Sequence, residues 1–219
     1  MDGAALRSAL GGVLAALELE LAPDQIALLL GYLDLLARWN RTYNLTAVRE
    51  PEQMLTQHIA DCLAVIKPLR RALGGHEAGR VLDVGSGGGL PGAIVAIVEP
   101  STSVTCVDAV GKKAAFVQQV AAELSLRNLV ALHARVEQLP AAAFDVVTSR
   151  AFSSLADFTS LTRGQLDPSG VWMAMKGRRP DDEIAQLSSN VEVFHVERLQ
   201  VPGLAAERCL VWMRPAAKA

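Results

Sequence analysis

Residues 80–92 read RVLDVGSGGGLPG, from Arg80 to Gly92. Val81, Leu82 and Val84 are strand formers, and the pair Val81-Leu82 suits a strand covered on both faces. Asp83 sits where that strand is about to end. Gly85, Gly87, Gly88 and Gly89 then fall within five positions. Glycine tolerates φ > 0 and has no Cβ, so a ligand can lie directly on such a backbone. Ala93 to Val98 reads as the buried face of a short helix, ended by Pro100. The stretch is a buried strand, a glycine-rich turn and a helix start.

The glycines admit two registers. Gly87-x-Gly89-x-x-Gly92 matches the dinucleotide-binding pattern, but its first glycine lies three residues beyond Val84, late for the first tight turn after a strand. Asp83-x-Gly85-x-Gly87-x-Gly89 begins on the strand itself. It resembles the signature of class I S-adenosylmethionine (SAM) methyltransferases. They share the nucleotide-binding half-fold but bind no pyrophosphate.

The chain has 219 residues, enough for one large domain or a domain with a small extension. Half of it is hydrophobic and a fifth is charged, the balance of a soluble globular protein. A formal net charge of -2 argues against a strongly basic nucleic-acid coat and leaves room for a local basic patch. Cys62, Cys106 and Cys209 are far apart, odd in number and set among apolar residues. They read as reduced core thiols of a cytoplasmic protein, and no metal-ligand spacing occurs. The apolar run from Ala9 to Leu17 has some look of a signal peptide. Asp2, Glu18 and Glu20 fit that poorly, and an amphipathic helix accounts for the spacing as well. No run is long enough to span a membrane.

Residues 1–75 read as a helical extension and 76–219 as the ligand-binding domain. A first helix is expected to about Leu19. A second starts at Ala22-Pro23-Asp24 and keeps helical spacing as far as Trp39, with a loop over Asn40–Thr46. A third opens at Pro51 and ends near Pro68, and Gly74-Gly75 makes a linker. His58 and Asp61, three apart on one helical face, are placed to pair with each other. From Arg80 the pattern alternates between strand and helix. Strands are expected at Ser103–Val107, Leu129–His133, Phe144–Thr148 and Val171–Met175. Helices lie over Lys112–Leu124, after Ser153 or Ser154 as caps, and near Asp181–Leu187. Asp167 to Gly170 reads as a turn. Strands over Val191–Val201 and Glu207–Met213 close the chain as an antiparallel edge.

This alternation implies an α/β fold: a doubly wound, mostly parallel sheet with right-handed crossovers. Ligands then sit outside the carboxyl ends of the strands. Polar groups fall at those ends: Gly85, Asp108, Arg135 and Glu137, Ser149-Arg150, and Lys176. Asp108 lies 23 residues beyond Gly85, a spacing that suits a carboxylate on the hydroxyls of a ribose. Binding of an adenosine compound follows from the residues alone.

Several further motifs occur in order. They are Trp39-Asn40-x-x-Tyr43-Asn44-Leu45-Thr46, His58-x-x-Asp61, the glycine loop, Val107-Asp108-x-x-Gly111-Lys112-Lys113, Arg135-Val136-Glu137, Ser149-Arg150-Ala151-Phe152 and Met175-Lys176-Gly177. Together they resemble the RsmG (GidB) family of bacterial methyltransferases of small-subunit ribosomal RNA, over nearly the whole chain. The resemblance implies a class I Rossmann-like fold and methyl transfer from SAM to N7 of a guanine, position 527 of 16S rRNA. It implies cofactor contacts at Asp83, Gly85, Ser86, Gly87, Gly89, Leu90, Val136, Glu137 and Arg150, besides Asp108 on the ribose. Ala109 departs from the family, which often has serine there.

Guanine N7 carries a free lone pair and no proton, so no acid or base is required. The catalytic task is positioning, with Arg150, Lys176 and Asn44 as candidates. The implied partner is 16S rRNA, in the small subunit or an assembly intermediate, met by a monomer without a membrane. Arg38, Arg41, Arg49, Arg70, Arg71, Arg178 and Arg179 are candidate RNA-facing charges. Trp39 and Tyr43 are candidates for stacking on a base, with core packing the bland role for Trp39. Two other functions stay open at this point: a class I methyltransferase with a small-molecule or protein substrate, and a dinucleotide-dependent oxidoreductase on the Gly87-Gly89-Gly92 register.

Overall fold

The computed structural model describes residues 3–74 and 78–216. The expected linker residue Gly75 and the expected boundary at 75/76 lie outside them. Two helices, α1 (Gly3–Leu17) and α2 (Pro23–Tyr43), open the chain. Next come α3 (Pro51–Met54), a π-helical turn (Leu55–Ala60), α4 (Asp61–Leu63) and α5 (Ile66–Ala72). The rest alternates: β1 (Arg80–Val84), α6 (Gly92–Val98), β2 (Ser103–Asp108), α7 (Gly111–Glu123), β3 (Leu129–His133), β4 (Phe144–Ser149), α8 (Leu155–Thr162), β5 (Leu166–Lys176), α9 (Asp181–Ala185), β6 (Val191–Leu199) and β7 (Arg208–Pro215). A 3-10 turn at Val136–Gln138 follows β3. No helix among the described residues is long and apolar enough to cross a membrane.

The seven strands run β3-β2-β1-β4-β5-β7-β6. β1 to β5 are parallel, and β7 is wedged antiparallel between β5 and β6. Side chains alternate across a pleated strand, so each strand feeds two cores. Val81, Met173, Met175, Leu210 and Trp212 join the cluster that holds α1 to α7. Leu82, Trp172, Ala174, Val211 and Met213 join the second cluster, with Leu155 and Phe158 of α8. The amino-terminal helices therefore share one core with a face of the sheet. α1 contributes Leu6, Leu10, Val13 and Leu14, a stripe at helical spacing.

Three local expectations are corrected. α2 does not stop at Trp39 but continues to Tyr43. Asn40, inside the expected loop, is buried on the helix. Its Nδ2 donates to the Val48 carbonyl at 3.1 Å, and its Oδ1 accepts the Thr46 N–H at 2.9 Å. It therefore ties down the returning chain, and the helix ends on Asn44 in the left-handed region (φ 48°). Pro68 does not end a helix. It sits in the first turn of α5, where its missing N–H has no intrahelical partner to lose. Asp167–Gly170 is not a connection but a bulge inside β5. The register with β4 jumps between Phe144↔Leu166 and Val146↔Val171. Asp167 Oδ1 accepts the Ser169 N–H at 2.8 Å, which folds the extra residues outward.

Candidate active site

The carboxyl ends of β1 and β2 shape the glycine loop. The N–H groups of Gly85 and Ser86 both donate to the Val107 carbonyl, at 2.8 and 3.2 Å, so the loop stays fastened to β2 after the ladder ends. Asp108 closes it. One carboxylate oxygen accepts the Gly87 N–H at 2.9 Å and the other the Val110 N–H at 2.8 Å. Each oxygen keeps a lone pair for a hydroxyl. Gly85 and Gly87 have φ of +65° and +58°, and a Cβ on Gly85 would meet nothing within 4 Å. Gly89 and Gly92 differ, since a Cβ there would press on Val117 or collide with Cys106 Sγ. The glycines open to a ligand are thus Gly85 and Gly87, the first two of the register that begins at Asp83. Gly92 is a packing glycine at the start of α6.

Asp83 faces α6 rather than the loop's open side. It is fully buried, and its Oδ2 accepts the Gly92 N–H at 2.8 Å, while Oδ1 has no partner among the described residues. Burial pushes its carboxyl up to about 7, moderated by the Gly92 N–H and by Arg150. Beneath the loop, Tyr32 of α2 is fully buried and donates to the Gly88 carbonyl at 2.6 Å. Burial holds its hydroxyl far above the usual range, so it remains a donor.

Two crevices open at this edge. The first, of about 180 Å³, is lined by Gly85, Asp108, Ala109, Val136, Glu137 and Phe152. The second, of about 380 Å³, is lined by Gln57, His58, Asp61, Arg150, Met175, Lys176, Gly177 and Arg208. Arg150 leaves the end of β4 and donates to the Gln57 carbonyl at 3.0 Å. Its guanidinium stands 3.4 Å from Asp61 Oδ2, and Arg208 Nε stands 2.9 Å from Asp61 Oδ1. One buried carboxylate from beside the π-turn thus sets two arginines in the same cavity.

The expected His58–Asp61 pair is corrected. His58 Nε2 lies 2.9 Å from Thr46 Oγ1 and its Nδ1 is unpartnered among the described residues, while Asp61 serves the arginines. Burial, and then the charge of Arg150, lowers His58 to about 4, so it is neutral. Lys176 is held by both oxygens of Glu183, at 2.9 and 2.8 Å, and Glu183 also accepts the Leu155 N–H at the start of α8. Asn44 lines neither crevice; its Oδ1 accepts from Arg49 at 3.3 Å. Ser86 and Leu90 are buried within the loop. Trp39 packs edge-on against Phe116, whereas Tyr43, stacked on Trp39, stays exposed.

The candidate RNA-facing arginines do not share one surface. Arg70 pairs with Glu99 at 2.7 Å, Arg71 with Glu197 at 2.5 Å and Arg38 with Glu123 at 4.0 Å, while Arg178 and Arg179 line a separate cavity that shares Gly177 and Arg208 with the second crevice. Sequence reasoning missed Tyr32 and Arg208. A tyrosine inside an apolar helical stripe was the available signal for the first, since a buried hydroxyl needs a partner.

Solved structures share this architecture. TrmN from Thermus thermophilus matches with a TM-score of 0.56 at 19% identity, over 74% of this chain and 53% of that one. The N-methyltransferase NodS from Bradyrhizobium japonicum, solved in complex with S-adenosyl-L-homocysteine, matches with a TM-score of 0.57 at 14% identity, over 84% and 99%. Fold and glycine loop together define a class I SAM-dependent methyltransferase. The model of the GidB family, rRNA small subunit methyltransferase G, matches residues 25–211. A curated relative of that name from Methylibium petroleiphilum is 59% identical over 212 residues, 97% of this chain and 96% of its own. The chain belongs to the GidB family, and SAM is its methyl donor.

Proposed function

We propose that this protein methylates N7 of a guanine, position 527, in 16S rRNA. The observation that carries the reading is the open floor of the first crevice, where Gly85 has room in place of a Cβ beside the carboxylate of Asp108. An adenosine compound fits that floor: Asp108 keeps lone pairs for a ribose, and Val136 and Glu137 wall the base. Ser86, Gly87, Gly89 and Leu90 shape the loop, and Asp83 holds it to α6 from below.

When bound, SAM supplies a methyl group already activated by its sulfonium. This chain's residues have the task of alignment. Arg150, fixed by Asp61 and the Gln57 carbonyl, stands just beyond the end of β4, level in the register with Gly85 beyond the end of β1, and it lines the second crevice. The target guanine enters there, and Lys176, tethered to Glu183, borders it. Asn44, the third positioning candidate, lines neither crevice and accepts from Arg49 instead, so the alignment on this reading falls to Arg150 and Lys176. No residue has to remove a proton, because N7 carries none. His58 is kept neutral and fits a space-filling role in that cavity better than an acid's.

The partner on this reading is the small ribosomal subunit or its assembly intermediate, met by a monomer in the cytoplasm. Labelled SAM incubated with 16S rRNA or small subunits from cells lacking the enzyme tests it. The expected result is one new N7-methylguanine, mapped at position 527. Methylation of another atom, or none, would overturn it.

A further inference from the structure

We propose that the RNA strand is carried over the β4-β5-β7-β6 half of the sheet, along a row of cations set one per strand. The inference rests on the reading that RNA is the substrate. It concerns where the RNA lies, not whether it is methylated.

The strand register carries the argument. Ser149 of β4 stands opposite Ala174 of β5, so Arg150 and Lys176 leave neighbouring strands at nearly the same level. Lys176 is opposite Cys209 of β7, and Cys209 is opposite Arg198 of β6. Arg208, beside Cys209, completes the line. Because β7 runs backwards, its first residues lie at the edge where the parallel strands end. Four successive strands thus each place a cation on the edge that carries the glycine loop. At about 4.8 Å per strand the row extends about 14 Å from the methyl-transfer cavity.

The row faces open space. A further cavity of about 290 Å³ is lined by Arg178, Arg179, Arg198, Glu207, Arg208 and Gly177 among others. It shares Gly177 and Arg208 with the cavity around Arg150, so the two adjoin, and together they make up the proposed trench. Six cationic side chains line this trench, Arg150, Lys176, Arg178, Arg179, Arg198 and Arg208, against the carboxylates of Asp61 and Glu207. The chain as a whole is net negative. The outer cations are loosely held. Arg178 has no carboxylate partner among the described residues. Arg198 stands 3.5 Å from Glu207, with both side chains more than three-fifths exposed. Arg179 meets an exposed Asp181 at 2.6 Å. Such surface pairs contribute little and exchange readily for phosphate. The inner cations, Arg150, Lys176 and Arg208, are the half-buried ones, fixed by Asp61 and Glu183. The trench therefore grades from an adaptable outer track to a rigid inner cavity, as suits a flexible strand delivered to a fixed point.

The test replaces Arg178, Arg179 and Arg198 by Gln together, leaving Arg150, Lys176 and Arg208 intact. Affinity for a 16S rRNA transcript is read across a salt series. A control removes the same charge at the opposite edge: Arg80→Gln, Arg163→Gln and Arg214→Gln. Each single-strand phosphate contact contributes roughly 0.7 to the slope of log affinity against log salt, so the triple variant is expected to lose about 2. Its KM for RNA should rise about tenfold at physiological salt with kcat, Tm and SAM affinity unchanged, and the control should match wild type. A triple variant with the wild-type slope, or a control with an equal loss, overturns the track. If the triple variant shows the slope loss but the wild-type protein puts no methyl on either the transcript or small subunits from cells lacking the enzyme, the track stands and the functional reading is overturned instead.

Discussion

The hydroxyl of Tyr32, on a helix of the amino-terminal segment, donates to the carbonyl of Gly88 at 2.6 Å, between two glycines of positive φ. The contact ties a helix outside the strand–helix alternation to the glycine loop proposed to carry the cofactor. Tyr32→Phe removes only that donor and leaves a carbonyl without it. A loss of about 1 to 2 kcal/mol in stability is expected. SAM should bind several-fold more weakly, with kcat at saturating SAM retained. Calorimetric titration of SAM checks it. An unchanged Kd would show that the loop keeps its shape without the hydroxyl.

Asp61 is the shared counter-ion of Arg150 and Arg208. Asp61→Asn keeps the volume and removes the charge, leaving two three-quarters-buried guanidinium groups uncompensated. A cost of about 3 kcal/mol is expected, the low end for a breached buried pair because each arginine keeps 26% of its side chain exposed. Urea unfolding measures it. Methyl transfer should fall more than SAM binding does, since the crevice proposed for the cofactor does not include Asp61.

Asp83 and His58 pull the pH dependence of stability in opposite directions. Asp83 is raised from 3.8 to about 7 by burial, so its contribution is whole below about pH 4 and is lost as pH rises through 7. His58 is lowered from 6.5 to about 4 by burial, so its contribution is whole above pH 6.5 and is lost as pH falls through 4. Between those limits the two slopes oppose. Asp83→Asn should leave a stability that rises with pH, and His58→Gln one that falls. Denaturant midpoints across pH 4 to 7 decide the matter; two variants that both keep the wild-type profile would refute it.

Gly85 and Gly92 should fail for different reasons when changed to Ala. At Gly85 the new methyl enters open space, and only the φ of +65° is strained, at about 1 to 2 kcal/mol. The variant should fold and bind SAM at least tenfold more weakly. At Gly92 the methyl collides with Cys106 Sγ and comes within 3.0 Å of Asp83 Oδ2. Overpacking of about 1 to 3 kcal/mol is expected there. Thermal melts with and without SAM separate the two. A Gly85 variant with normal SAM affinity would remove the loop from the site.

The strand–helix alternation and the glycine loop were legible because they are local: a period, a turn residue, a cap such as Ser154, which accepts the Asp157 N–H. Asp108 was legible because its spacing from Gly85 is set by one crossover. What the sequence hid is long-range. Asp61 and Arg208 are 147 positions apart, and nothing near either names the other. His58, three residues from Asp61, looked like its partner, but the π-turn and the arginines redirected both. Asn40 read as a loop residue because the stretch Asn40–Thr46 is polar and β-leaning, yet tertiary bonds to Thr46 and Val48 kept it helical. Of the trench arginines, Arg150, Arg178 and Arg179 were legible singly, and Arg198 and Arg208 were not. Their common line depends on β7 running backwards, which composition does not reveal.

The wedging of β7 between β5 and β6 also sets an order of assembly. During translation β7 is the last of the sheet's seven strands to emerge, and until it does β5 presents a bare edge and Arg208 is missing from its cavity. A nascent chain stalled before Arg208 is therefore an unfinished scaffold inviting misassociation, and a reporter tag is safer after Pro215 than anywhere between β6 and β7.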